Sequence, residues 1–147
     1  MELAAGLVTL TTAPHVPGRT PRPDDAVFAP LKASIPAAAS VADLASGIAF
    51  AAGFEALEAG YYWEAHEIWE PVWMRLPPAS RERHLLQGLI QLANAALKHR
   101  MGKTIAFRRI LGLADHELAE AFRAHDGLLM GKDRDYIASL RQAIARQ

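Results

Sequence analysis

One short segment, residues 61–74, carries most of the side chains in this chain that could do chemistry. Its sequence, YYWEAHEIWEPVWM, holds all three tryptophans, one histidine and three glutamates. His66 and Glu70 are four residues apart, so on a helix they lie one turn apart on the same face. The bulky aromatic residues near that face are Tyr62, Trp69 and Trp73. The segment therefore predicts a helix whose inward face carries both the imidazole of His66 and the carboxylate of Glu70.

A histidine and a carboxylate at this spacing allow three kinds of chemistry, and the residues alone leave all three open. The pair can be a buried polar clasp, in which Glu70 fixes the tautomer of His66. It can bind a divalent metal, because ligands at i and i+4 are a common helical arrangement. It can also serve in acid–base catalysis, although no serine or cysteine nucleophile accompanies it.

A metal site would need a third ligand from another part of the chain, and His99 is the natural donor. The predicted metal set is therefore His66, Glu70 and His99. With Glu67 as the base, this set would describe a metal-dependent hydrolase. The helical wheel turns Glu64 and Glu67 more nearly outward. Three further histidines lie in charged surroundings and are expected at the surface: His84, His116 and His125.

A polar stripe on the following helix offers a second wall for a site. Gln87, Gln91 and Lys98 recur at helical spacing on an otherwise apolar segment, which is usual for a solvated face. If the stripe faces the earlier helix, the two helices enclose a polar pocket, and the protein is a binding module for a small ligand or a partner. The predicted ligand-binding residues are Tyr62, His66, Glu67, Glu70, Trp73, Gln87, Gln91 and Lys98.

The elements that must position these side chains are helices. No run alternates apolar and polar residues over the length of a strand. Capping and stop signals predict helices over about 41–59, 61–74, 81–101 and 103–123, and a last one after Asp133. Because the connections are short, we expect an all-α, compact antiparallel bundle of about five helices.

The N-terminal part of the chain has a different character, since six of the nine prolines fall between Pro14 and Pro36. Each proline fixes its own backbone and disfavours helix in the residue before it. We therefore expect a proline-rich arm over residues 1–39, followed by a helical bundle domain over residues 40–147. A disordered arm is the alternative that the composition allows. If the arm is ordered, we expect it to contact the bundle or a second subunit of a homo-oligomer. The contacting residues would be Val16, Phe28, Leu31 and Ile35.

Composition narrows the class of protein further. The 147 residues fit one domain, and the absence of cysteine excludes disulfides and thiolate metal sites. Apolar runs are too short to cross a membrane, and the start of the chain is unlike a signal peptide, so we expect a cytoplasmic protein.

The distribution of charge along the chain is uneven. Residues 37–74 hold six acids and no Lys or Arg, whereas residues 75–123 hold nine basic residues against four acids. Attraction between acidic and basic helices explains this charge asymmetry better than binding to nucleic acid does, so nucleic acid is not the expected partner.

Two motifs together resemble a known family. The first runs from Gly60 through Glu64-Ala65-His66-Glu67-Ile68-Trp69-Glu70 to Trp73, and the second is Leu86-Gln87-Gly88-Leu89-Ile90-Gln91. In this order they are similar to the domain of unknown function family 309, over roughly residues 54–113. The resemblance implies a compact all-α bundle without an established activity, and Pro71 departs from the family's usual residue. The polar residues that it carries over are His66, Glu67, Glu70, Gln87 and Gln91.

Overall fold

A computed structural model describes all 147 residues, and the chain divides into two compact units, residues 1–75 and residues 76–147. The first unit contains β1 (Glu2–Leu3), β2 (Val8–Thr9), a 3-10 helix (Asp25–Phe28), α1 (Ala29–Ala33), α2 (Val41–Ala45), α3 (Ile48–Glu58) and α4 (Tyr62–Arg75). The second contains α5 (Arg81–Arg100), α6 (Thr104–Phe122) and α7 (Arg134–Ala145). The prediction of an all-α helical-bundle protein is confirmed. No helix here is both long enough and apolar enough to cross a membrane.

The N-terminal segment begins with a small antiparallel hairpin that the sequence did not predict. Leu3 pairs with Val8 across β1 and β2, and the turn between them holds Ala4 and Ala5 at positive φ. Strands of two residues are too short to show alternation, which is why the pattern misses them.

Several apolar side chains of this segment are buried. Three of the four expected anchors, Val16, Phe28 and Leu31, have almost no exposed surface, and Ile35 is half-buried. The hairpin contacts α3, and α1 contacts both α3 and α4. Side chains from the proline-rich stretch therefore form part of the core of the first unit.

The first predicted helix is interrupted, so that α2 and α3 replace a single helix over 41–59. The predicted capping box is present, because the Ser40 side chain accepts from the Asp43 N–H and the Asp43 carboxylate accepts from the Ser40 N–H. The break falls at Ser46 and Gly47. The Ser46 hydroxyl donates to the carbonyl of Ala42, and glycine is a poor helix former, so the chain turns there and restarts.

Close packing of α3 on α4 depends on one glycine. Trp69 is completely buried, and its indole N–H donates to the carbonyl of Phe50 at 3.0 Å. A Cβ atom added at Gly53 would lie 2.0 Å from the indole nitrogen. The edge of the indole ring also meets Phe54, with the ring centroids 5.0 Å apart. Only a residue without a side chain admits the tryptophan at this place.

In the second unit α5 is the central helix, as its wide apolar circumference predicts. Ser80 caps it by accepting from the Arg83 N–H, and Gly102 at positive φ follows its end. Most of α6 packs along α5, and Gly88 lies against Leu118 there. Asp133 caps α7 as predicted, accepting from the Tyr136 N–H at 2.7 Å.

Candidate functional site

Three side chains on α4 converge at one place on the first unit. His66 Nε2 and Glu70 Oε2 form a hydrogen bond of 3.2 Å between residues one turn apart. Glu67 precedes Glu70 by three residues, so Glu70 lies next to both. One ligand atom from each of His66, Glu67 and Glu70 lies within 4.8 Å of the others. The structure thus brings together a mixed nitrogen and oxygen donor set that the sequence only partly assembled.

The cluster is reachable from solvent. The side chain of His66 is 31% exposed and that of Glu70 is 48% exposed. We expected both side chains to face the inside of the protein, and the structure corrects this in part: the imidazole is partly covered, and the carboxylate is open to water. A partly covered imidazole beside an open carboxylate remains accessible to an ion.

Glu64 was expected to point outward, and the structure corrects this. Only 1% of the residue is exposed, and its carboxylate accepts from the backbone N–H of His15 at 2.9 Å. His15 is itself buried, with Nδ1 2.7 Å from the Thr20 hydroxyl and its ring against the edge of Trp63. The wheel of an isolated helix misses this burial, since the covering segment lies about fifty residues earlier. Nothing in the local pattern signals the contact.

The aromatic residues of the predicted site take different positions. Tyr62 lies in the core, whereas Trp73 is half-buried. Tyr62 therefore packs in the core and supports the helix. Of the two aromatic residues in the predicted set, Trp73 is the one that keeps solvent-exposed surface.

The remaining predicted site residues belong to the second unit. Gln87, Gln91 and Lys98 are all half-buried on α5, and Gln91 accepts from the side-chain amide of Asn94 at 3.3 Å. His99 packs its ring on Phe107, with the centroids 5.0 Å apart. A pocket that joins these residues to His66, and His99 as a third metal ligand, stay predictions.

The H-E-x-x-E pattern of α4 occurs a second time, on α6, as His116-Glu117-Leu118-Ala119-Glu120. There the carboxylates have other partners. Glu117 is hydrogen-bonded to His84 at 2.6 Å, and Glu120 pairs with Arg123 at 3.2 Å. His84 was expected at the surface, and the structure instead shows it half-buried. The H-E-x-x-E spacing therefore does not by itself produce a cluster. On α6 the two carboxylates bind His84 and Arg123, whereas on α4 they lie beside His66.

Pro71 lies inside α4, and the helix continues through it to Arg75. Because proline has no N–H, the carbonyl of Glu67 lacks its usual partner four residues on. Pro71 therefore removes one hydrogen bond next to the cluster without ending the helix.

Fold and site together define an all-α protein with a half-exposed His–Glu–Glu cluster on its fourth helix. The predicted family resemblance is confirmed, since residues 50–110 match the family described as "Domain of unknown function (DUF309)". That stretch includes His66, Glu67 and Glu70.

One curated relative is the "Uncharacterized protein YpuF" of Bacillus subtilis (strain 168), with 35% identity over 86 residues. The aligned region covers 58% of this chain and 48% of the relative, so the chain spans about half the length of that protein. No solved structure matches this chain significantly.

Proposed function

We propose that the protein is a binding module whose α4 holds a divalent metal ion through His66, Glu67 and Glu70. The observation that supports this most directly is the convergence of three ligand atoms within 4.8 Å on a half-exposed face. One imidazole nitrogen with two carboxylate oxygens is a donor set suited to zinc, iron or manganese.

The required side-chain movement is small. Ligand atoms bound to one ion at about 2.0–2.2 Å lie roughly 3–4 Å apart. Glu70 is half exposed, so rotation about its torsions is open to it. The segment around α4 also favours a cation, because residues 37–74 carry six acids and no Lys or Arg.

Three protein ligands leave at least one position on the ion for water or for a small anionic ligand. In this arrangement Glu67 is a ligand, so it is not also the base of a hydrolase. Binding is therefore the function that the geometry supports better, and the hydrolase built on His66, Glu70 and His99 is the alternative.

Calorimetric titration of chelator-treated protein with Zn²⁺ and with Mn²⁺ tests the proposal. We expect one ion per chain, with affinity falling as the pH is lowered because the imidazole must be neutral to bind. His66→Ala should weaken binding by roughly tenfold or more. The matched control is His116→Ala, which removes the histidine of the second H-E-x-x-E sequence and should leave the affinity unchanged.

Two results would contradict the proposal: no saturable binding of either ion, or equal losses in the two histidine variants. The His99→Ala variant distinguishes the proposed metal site from the alternative set of His66, Glu70 and His99. A loss of affinity in that variant would support the set that includes His99, with Glu67 left as the base.

A further inference from the structure

A groove lies between α6 and α7 in the second unit. Its volume is about 540 Å³, and all of its lining residues belong to these two helices and to the chain that follows α6. Both helices pack on α5. Between α6 and α7 a space remains that side chains do not fill.

Side chains of α7 form bridges to α6 and to the chain that follows it at both ends of the groove. Arg141 on α7 donates to both carboxylate oxygens of Asp115 on α6, each at 2.9 Å. This hydrogen bonding raises the pKa of Arg141. Toward the connecting loop, Arg134 donates to the carbonyl oxygens of Phe122 at 2.6 Å and His125 at 3.0 Å. From Asp115 to Phe122 the helix rises roughly 10 Å, which sets the length of the groove.

The apolar part of the lining combines large buried side chains with alanines. Phe122 and Ile137 form buried parts of the floor, next to Leu118. Ala119 and Ala138 line the walls, where their methyl groups leave room that larger residues would fill. The cavity thus results from the residue types on facing helices and needs no movement to open.

Charge at the rim favours an anion. Three arginines, Arg123, Arg134 and Arg141, line the groove together with two acids, Asp115 and Glu120. The side chain of Arg123 is 75% exposed and has an ion pair with Glu120 on one of its nitrogens. A guanidinium group has five N–H donors, so Arg123 retains donors for a carboxylate.

We propose that this groove binds a small amphipathic carboxylate, with the apolar body between Ala119 and Ala138 and the carboxylate at Arg123. The volume lies within the range of roughly 300–1,000 Å³ typical of small-molecule sites. The bridges at the two ends favour a small molecule over a partner helix, because a helix would have to extend past the Asp115–Arg141 pair and the Arg134 side chain. This site lies in the second unit, and its proposal does not rest on the metal site proposed on α4.

Titration of the full chain with decanoate tests this proposal, and decyltrimethylammonium is the probe with the same tail and the opposite charge. Both are used below the concentrations at which they form micelles. We expect saturable binding of decanoate, with the ammonium compound weaker by roughly tenfold or more. Methyl NMR signals of Leu118 and Ile137 should shift with decanoate.

Two variants on α7 separate the groove from the rest of the surface. Ala138→Trp fills the groove and should weaken decanoate binding by roughly tenfold or more. Ala143→Trp places the same side chain at an exposed position of α7 outside the groove, and should bind like the unmodified protein. Arg123→Ala tests the rim without adding bulk, and should remove the preference for the carboxylate.

Three results would overturn the proposal: no saturable binding of decanoate, equal affinity for the two probes, or equal binding by the two tryptophan variants. If Ala138→Trp does not fold, as judged by circular dichroism, Arg123→Ala and the NMR shifts carry the decision. Shifts confined to residues outside the groove would then refute it.

Discussion

The indole of Trp69 shows how one residue determines which neighbours are allowed. Trp69 is completely buried and donates to the carbonyl of Phe50, so it has no freedom to move aside. Gly53 on α3 faces this ring at a distance that no Cβ tolerates. Gly112 on α6 is different, because a Cβ added there meets nothing within 4 Å. These two helical glycines make opposite predictions for the same substitution.

Gly53→Ala should destabilise the protein. Alanine gains about 1 kcal/mol in helix propensity, but the clash with Trp69 costs about 1–3 kcal/mol by overpacking and endangers a buried hydrogen bond worth about 1 kcal/mol. Gly112→Ala should instead stabilise by about 1 kcal/mol. Urea unfolding monitored by circular dichroism measures both, and a stabilised Gly53→Ala protein would show that the packing of α3 on α4 is looser than described.

Residues that find partners far along the chain are the ones that sequence reasoning misses. The bonds of Glu64 with His15 and of Glu117 with His84 join residues that are 49 and 33 positions apart. No local pattern encodes such pairs. The His66–Glu70 hydrogen bond, by contrast, follows from helical spacing alone, and the structure shows it.

At the scale of the element, caps and stops are predictable because they are local. Ser40, Ser80 and Asp133 accept the N–H groups that their positions predict. The break between α2 and α3 is harder to predict, because it depends on Ser46 and Gly47 outweighing an apolar pattern that continues across them. The long helices are thus readable from periodicity, whereas helix continuity and the short helices of the proline-rich stretch are not.

The capping box of α2 gives a prediction for pH. The Ser40 backbone N–H and side chain hydrogen-bond to the Asp43 carboxylate and lower its pKa below the usual 3.8. A depressed folded-state pKa contributes stability above that usual value, and the contribution is lost as the pH falls through the folded pKa. Asp43→Ala should therefore be less stable than the unmodified protein at neutral pH, and the difference should shrink as the pH falls toward the folded pKa.

Unfolding by urea at neutral pH and near pH 3 measures this difference. Asp135→Ala is the control for removing a carboxylate from the first turn of a helix. A difference for Asp43→Ala that is as large in acid as at neutral pH would contradict the hydrogen-bonded carboxylate.

Pro71 makes a prediction for α4. A proline in a helix interior lowers the free energy of unfolding by about 3 kcal/mol. Because it also restricts the unfolded chain, it offsets only about 0.4–1 kcal/mol of that loss. Pro71→Ala should therefore stabilise the protein by about 2 kcal/mol in thermal or urea unfolding. Pro78→Ala is the matched control in the exposed turn after α4, where loss of the restriction should destabilise slightly. Equal effects in the two variants would mean that Pro71 is accommodated without cost.

Metal affinity of the Pro71→Ala variant adds a second measurement. The proposed ligands are side-chain atoms, so binding should persist when the helical hydrogen bond to the Glu67 carbonyl is restored. A loss of binding would indicate that this carbonyl, and not only the carboxylate of Glu67, serves the ion.

At the scale of the whole molecule, the charge asymmetry of the sequence coincides with the division into two units. The acidic stretch 37–74 lies in the first unit, and the basic stretch 75–123 lies almost wholly in the second. The two proposed sites follow the same division: a cation site lies in the acidic stretch, and a groove with an excess of arginine lies in the other unit.

The N-terminal segment makes a prediction about both stability and assembly. Leu31 is 1% exposed, so Leu31→Ala should cost about 2–5 kcal/mol in the free energy of unfolding. Leu7, in the hairpin, is 43% exposed, and Leu7→Ala should change stability by less than about 0.5 kcal/mol. Urea unfolding measures the two leucine variants side by side.

Protein concentration then separates a segment that packs on its own chain from one that clasps a second subunit. A clasp between chains makes the unfolding midpoint rise with protein concentration, because association stabilises only the folded state. The burial of Phe28 and Leu31, together with the contacts of α1 with α3 and α4, places the stabilising contacts within one chain. We therefore expect the loss in Leu31→Ala to be the same across a hundredfold range of concentration, roughly the span over which a dimer's midpoint would shift measurably. A loss that grows on dilution, with light scattering showing a dimer that dissociates, would instead support an arm that holds two subunits together.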